Sequence, residues 1–90
     1  MKPSIGRIVH FINPRGGAVE AALIARIDSY KEDEDNLQLS PGDEKNYTVT
    51  LYCMPPTGRT YVEPNVRFTD KTPEDNEALG RWMWPGRVAP

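Results

Sequence analysis

The sequence predicts a small all-β protein, an SH3-like barrel with an OB-like barrel as runner-up and one short helical turn near the C-terminus. Three observations predict it. Apolar and polar residues alternate over Tyr47-Thr48-Val49-Thr50-Leu51-Tyr52-Cys53, the period of a half-buried strand. Nine prolines and seven glycines in 90 residues favour short strands and tight turns over long helices. The strand-like stretches number four or five, with a long second connection, a tight later hairpin and a short closing strand. There is no internal repeat. A chain of this length makes one domain, residues 1–90. It buries only about 60–65% of its unfolded surface, so its core is thin and self-association would help it.

Ile5 to Ile12 reads as the first strand. Ile5, Val9 and Phe11 share one parity, with Ile8 and Ile12 on the other, as in a small barrel whose wall is covered on both sides. Asn13-Pro14-Arg15-Gly16-Gly17 is a turn. Ala18 to Ile27 has the composition of a helix, and Val19, Leu23 and Ile27 would align on one helix face. As a strand, Val19, Ala21, Leu23, Ala25 and Ile27 form a wholly apolar parity, with small alanines suited to a curved wall. The preceding glycine turn and the lack of a strong N-cap favour the strand. The helix stays open on the residues alone.

Asp28 to Asn46 is expected to be a long acidic loop with a turn at Ser40-Pro41-Gly42-Asp43. Asp33, Asp35 and Glu44 fit positions one, three and twelve of a calcium loop. Leu37 and Gln38 stand where a ligand and a glycine are needed, so the pattern fails. Tyr47 to Met54 is the clearest strand. Pro55-Pro56-Thr57-Gly58 turns the chain into Arg59 to Phe68, where Pro64 marks an edge or a bulge. Thr72 is placed to cap a helical turn, with Pro73 at its first position and Gly80 ending it. Trp82 to Trp84 makes the last strand, its two indoles on one face, stopped by Pro85 and Gly86.

The net charge of −2 hides a segregation: residues 1–27 sum to +3, 28–44 to −6, 45–69 to +2, 70–77 to −3 and 78–90 to +2. Basic strands alternate with acidic loops. Arginine suits planar, bidentate anion contacts; the ordinary reading of the acidic loops is solubility. Cys53 is alone and can form neither an internal disulfide nor a cysteine-type zinc site with His10. A reducing cytoplasm is the simplest setting. No run approaches a membrane span or a signal peptide.

Three stretches carry a resemblance. Lys2-Pro3-Ser4-Ile5-Gly6-Arg7-Ile8-Val9-His10-Phe11, Val49-Thr50-Leu51-Tyr52-Cys53-Met54-Pro55-Pro56-Thr57-Gly58 and Trp82-Met83-Trp84-Pro85 resemble the start, middle and end of small, mostly uncharacterised tailed-bacteriophage and prophage proteins. Met83 departs from that pattern, where histidine is expected. The resemblance implies a phage or prophage origin and no particular reaction. It raises two roles: a virion or assembly component, and a counter-defence protein made in the host cytoplasm.

The residues argue against catalysis and name no cofactor. His10 is the only histidine, and no nucleophile elbow, phosphate loop, dinucleotide fingerprint or H-E-x-x-H motif is present. A nucleic-acid polymer would demand a continuous basic track, which an acidic chain lacks. A small phosphate-bearing ligand, such as a cyclic or other signalling nucleotide, demands less. Trp82, Trp84 and Tyr52 are the candidate stacking platforms, and Arg7, Arg59 and Arg81 the candidate anion contacts, with Arg67 and Arg87 as further donors. The expected function is therefore oligomeric sequestration of such a signal. The alternative is a protein-interaction or virion module in which Trp82 and Trp84 meet a partner chain.

Overall fold

In the computed structural model, which describes residues 2–30, 44–56 and 58–85, five strands form one antiparallel sheet. They are β1 (Ile8–Ile12), β2 (Val19–Tyr30), β3 (Tyr47–Met54), β4 (Tyr61–Arg67) and β5 (Trp82–Met83), in spatial order β4-β3-β2-β1-β5. Short 3-10 turns occupy Glu44–Asn46 and Asn76–Ala78. The sheet curls: a parallel bridge joins Phe68, just past β4, to Trp82 of β5, and the Thr69 N–H donates to the Trp82 carbonyl at 2.8 Å. This curled all-β layout is the barrel-like fold expected from the sequence.

The turn from β1 to β2 is built by Asn13. Its side chain accepts from the Arg15 N–H at 2.8 Å, and its carbonyl accepts from Gly17 N–H at 2.8 Å. Gly16 and Gly17 take φ of 125° and 77°, a region that L residues enter at a cost. Ala18 to Ile27 falls almost wholly in β2, so the strand reading holds. Its inner face differs from expectation, however. Glu20, Ala22 and Ile24 point inward and are buried, while the apolar parity of Val19, Ala21 and Leu23 faces outward. The carboxylate is tolerated inside because Tyr61 OH donates to Glu20 Oε1 and Asn13 Nδ2 donates to Oε2 at 3.2 Å; a satisfied polar group avoids most of the desolvation penalty.

Other boundaries move. β1 starts at Ile8, and residues 28–30 belong to β2 rather than to the acidic loop. Residues 31–43, with the Ser40–Asp43 turn, Asp33 and Asp35, lie outside the described residues, as do Thr57 and Arg87. β4 is an edge strand, and Pro64 falls where its register against β3 shifts, with Asn65 at φ 55°. The helical turn begins later than expected. Asp75, not Thr72, caps it, its carboxylate accepting from the Glu77 N–H at 2.8 Å. The Asp75 side chain reaches the next turn's free amide; Thr72 instead closes a tight turn through its carbonyl to Asp75 N–H at 2.9 Å.

The core gathers Val9 and Phe11 of β1, Ala22 and Ile24 of β2, Val49, Leu51 and Cys53 of β3, Val66 of β4 and Trp82 of β5. Each comes from the inward parity of its strand, as the pleat requires.

Candidate functional site

The site lies where β5 closes the sheet. Gly80, at φ 75°, lets the chain leave the Asn76–Ala78 turn and enter β5. Its N–H donates to the Ile12 carbonyl at 2.8 Å, and the Ile12 N–H returns a bond to the Arg81 carbonyl at 2.9 Å. The Arg81 backbone is thus locked to β1. Its half-buried side chain lines an open cleft of about 480 Å³ with Lys45, Phe68, Thr69, Asp70, Lys71 and Glu77. Lys45 Nζ meets Asp70 Oδ2 at 3.1 Å and Lys71 Nζ meets Glu77 Oε2 at 3.6 Å. The hydrogen bond and charge of Lys45 hold the Asp70 carboxyl below its usual range. Among the described residues, no carboxylate lies within salt-bridge distance of Arg81. Among the described residues that line the cleft, three are cationic and two acidic.

The tryptophans take different positions. Trp82 is 0% exposed, its ring against Phe68 and Trp84, both centroids at 4.9 Å. It offers no face to a ligand, which corrects its expected role as a stacking platform: in a thin core the largest apolar side chain fills the barrel. Its Nε1 has no hydrogen-bond partner among the described residues. Trp84 is half-buried. Its Nε1 donates to Glu44 Oε1 at 3.3 Å, and the Arg7 guanidinium carbon sits 5.2 Å from its ring centre, in cation–π range. Arg7 and Trp84 therefore already engage each other.

Tyr52 and Arg59 do not join this cleft. Tyr52 points from the outer face of β3, its hydroxyl donating to Thr60 Oγ1 at 2.9 Å. Arg59 is exposed between β3 and β4. Of the six expected contacts only Arg81 lines the cleft. Lys45, Phe68 and Lys71 are the residues the sequence reading missed. The signal for them was weak: each lysine stands beside acidic residues and reads as an ordinary solvated charge.

Two further polar clusters were also illegible. Asp28 lies at a register shift of β2. Its carboxylate accepts from Thr50 Oγ1 at 2.7 and 2.8 Å, from the Asn65 N–H at 2.9 Å and from Arg26 Nε at 2.7 Å. Burial acts to raise its pKa, but these three donors outweigh burial and hold it below the usual carboxylate range. Around Glu20, burial and the bond to the carboxylate push the Tyr61 phenol upward, and burial pushes the neighbouring Cys53 thiol up to about 11. A small cavity of about 290 Å³ opens beside Tyr61, walled by Phe11, Asn13, Pro14, Arg15 and Glu63.

His10 faces outward, between Ala21 and Met83, whereas Cys53 faces the core, so the two cannot form a nucleophile–base pair. The described residues contain no group of His, Cys, Asp and Glu able to hold a metal, and none of their helices is long and apolar enough to cross a membrane. Comparison with protein-family models, with curated proteins and with solved structures returned no match.

Proposed function

We propose that this chain is a non-enzymatic binding protein of phage origin that captures a small phosphate-bearing ligand around Arg81. Sequestration of a nucleotide-derived signal in the host cytoplasm would then counter host defence. One observation carries the reading: a half-buried arginine with no carboxylate partner among the described residues lines a cleft with two lysines. A guanidinium binds phosphate oxygens through two parallel N–H bonds. The Lys45–Asp70 and Lys71–Glu77 pairs are exposed, and such pairs contribute little, so a phosphate can draw either lysine away from its acid. Phe68 supplies an apolar wall for a base or sugar. The reading does not require Trp82, Tyr52 or Arg59.

The test is a thermal-shift screen against linear and cyclic nucleotides and ADP-ribose. One class should raise the melting temperature by several degrees through mass action, and a folded Arg81→Ala variant should lose that shift. A flat screen with millimolar ligand would overturn the reading. A second reading is a protein-interaction or virion module; buried Trp82 cannot make the partner contact expected of it, and the exposed apolar residues Ile8, Val19, Tyr52 and Val62 favour this reading instead.

A further inference from the structure

Glu63 lies on the inward parity of β4. It ends the cross-strand row Ile24–Leu51–Glu63 over β2, β3 and β4, whose other two members are fully buried. The residue is half-buried, yet among the described residues its carboxylate has no hydrogen bond or ion pair. Glu20, the other inward carboxylate, is satisfied within the fold by Tyr61 and Asn13, as a group removed from water ordinarily is. Glu63 instead lines the cavity of about 290 Å³ that separates β4 from the end of β1 and the turn after it. Phe11, Pro14 and Tyr61 give this cavity apolar walls, and Arg15 lines it from the turn. Arg15 is exposed, its backbone N–H is held by Asn13, and among the described residues its guanidinium has no carboxylate within salt-bridge distance, Glu63 included. The remaining polar side chains of the lining, Asn13 and Tyr61, are already engaged with Glu20.

We infer that this cavity binds a small zwitterion, a free α-amino acid with an apolar side chain, with the ammonium on Glu63 and the carboxylate on Arg15. The two charges line one cavity without meeting each other, and a molecule carrying both opposite charges bridges them. The guanidinium fork takes a carboxylate through two parallel N–H bonds. The Glu63 carboxylate accepts from an ammonium, which also carries the charge that Glu20 and Glu63 together favour. Phe11, Pro14 and Tyr61 receive the apolar side chain, the usual division of a small-molecule site between apolar walls and a few convergent polar groups. Small-molecule sites run from about 300 to 1,000 Å³, so this cavity is at the low end and suits an amino acid rather than a nucleotide. Charge sets the selectivity. A simple amine meets repulsion from Arg15, and a simple acid meets it from Glu63, so only the zwitterion complements both. The cavity shares no residue with the Arg81 cleft.

The test is a titration of ¹⁵N-labelled full-length protein with L-leucine, and in parallel with isopentylamine and 4-methylpentanoate, which keep the side chain and drop one charge each. Leucine should give saturable amide shifts at Phe11, Asn13, Arg15, Tyr61 and Glu63 by about 10 mM, the range of a weak small-molecule site. Each single-charge compound should bind at least about 10-fold more weakly, since each gives up a charge-assisted contact. Glu63→Gln and Arg15→Gln change side chains with no bonds among the described residues, so the circular dichroism should stay intact. Each should weaken leucine binding on the order of 10-fold. No saturable shift by about 10 mM leucine would overturn the inference. So would a control that binds as well as leucine, or leucine binding that survives both substitutions.

Discussion

Asp28 ties three strands together, and removing its charge has a calculable effect. Its side chain is 6% exposed, while that of its ion-pair partner Arg26 is 69% exposed. The salt bridge itself is therefore screened, and the Thr50 hydroxyl and Asn65 amide carry the stabilisation. Hydrogen bonds to a charged group are worth about 1.5–3 kcal/mol each and are not additive. Asp28→Ala, which also strands the Thr50 hydroxyl, should cost about 3 kcal/mol, or roughly 15 °C in a domain this size. Asp28→Asn keeps the shape and one acceptor and should cost about 1–2 kcal/mol. The pH dependence follows from the depressed folded pKa. The Asp28 contribution is fully present above the unfolded carboxyl value, near 3.8, and is lost as pH falls through the lower folded value. Urea unfolding of the wild type and Asp28→Asn from pH 7 to pH 2.5 reads this directly. The difference should be constant near neutrality and shrink in acid; Asp70 and Glu44 are present in both proteins, so their titration cancels. A difference below about 0.5 kcal/mol at pH 7, or one that does not shrink in acid, would show that the Asp28 carboxylate does not hold the three strands together.

Three other outcomes are expected. Cys53 is 0% exposed with its thiol raised to about 11, so Ellman's reagent at pH 8 should label it only at the rate of unfolding, and immediate labelling of the native protein would contradict its placement. Trp82→Ala should cost about 3–5 kcal/mol in urea unfolding, and Trp82→Phe clearly less, because the buried indole N–H has no hydrogen bond to lose among the described residues. Gly80→Ala should cost about 1–2 kcal/mol through its positive φ rather than through a clash, since the nearest heavy atom to an added Cβ is 4.0 Å away.

What the sequence reveals here depends on how local the deciding physics is. Tyr47 to Met54 is legible because its inward parity is the apolar one: Val49, Leu51 and Cys53 are all buried, and Thr50 on the other parity is buried as well, bonded to Asp28. Pro64 is legible because it cannot join a central ladder, and it stands on the edge strand. The face of β2 is not legible, because a glutamate enters the core only when Asn13 and Tyr61, 7 and 41 residues away, satisfy it. Trp82 and Trp84 look equivalent along the chain. Only closure of β5 between β1 and Phe68 buries one and leaves the other beside Arg7. The Arg81 cleft is likewise assembled from segments near residues 45, 70 and 80, and no spacing in the sequence announces it.

Arg81, Lys45 and Lys71 are proposed to form an anion site. It is tested most directly by titrating inorganic pyrophosphate into ¹⁵N-labelled protein and following the amide resonances. Saturable shifts are expected at Lys45, Thr69, Asp70, Lys71 and Arg81, and Arg81→Ala should abolish them. Shifts scattered over every exposed lysine and arginine, or none at the cleft, would contradict it.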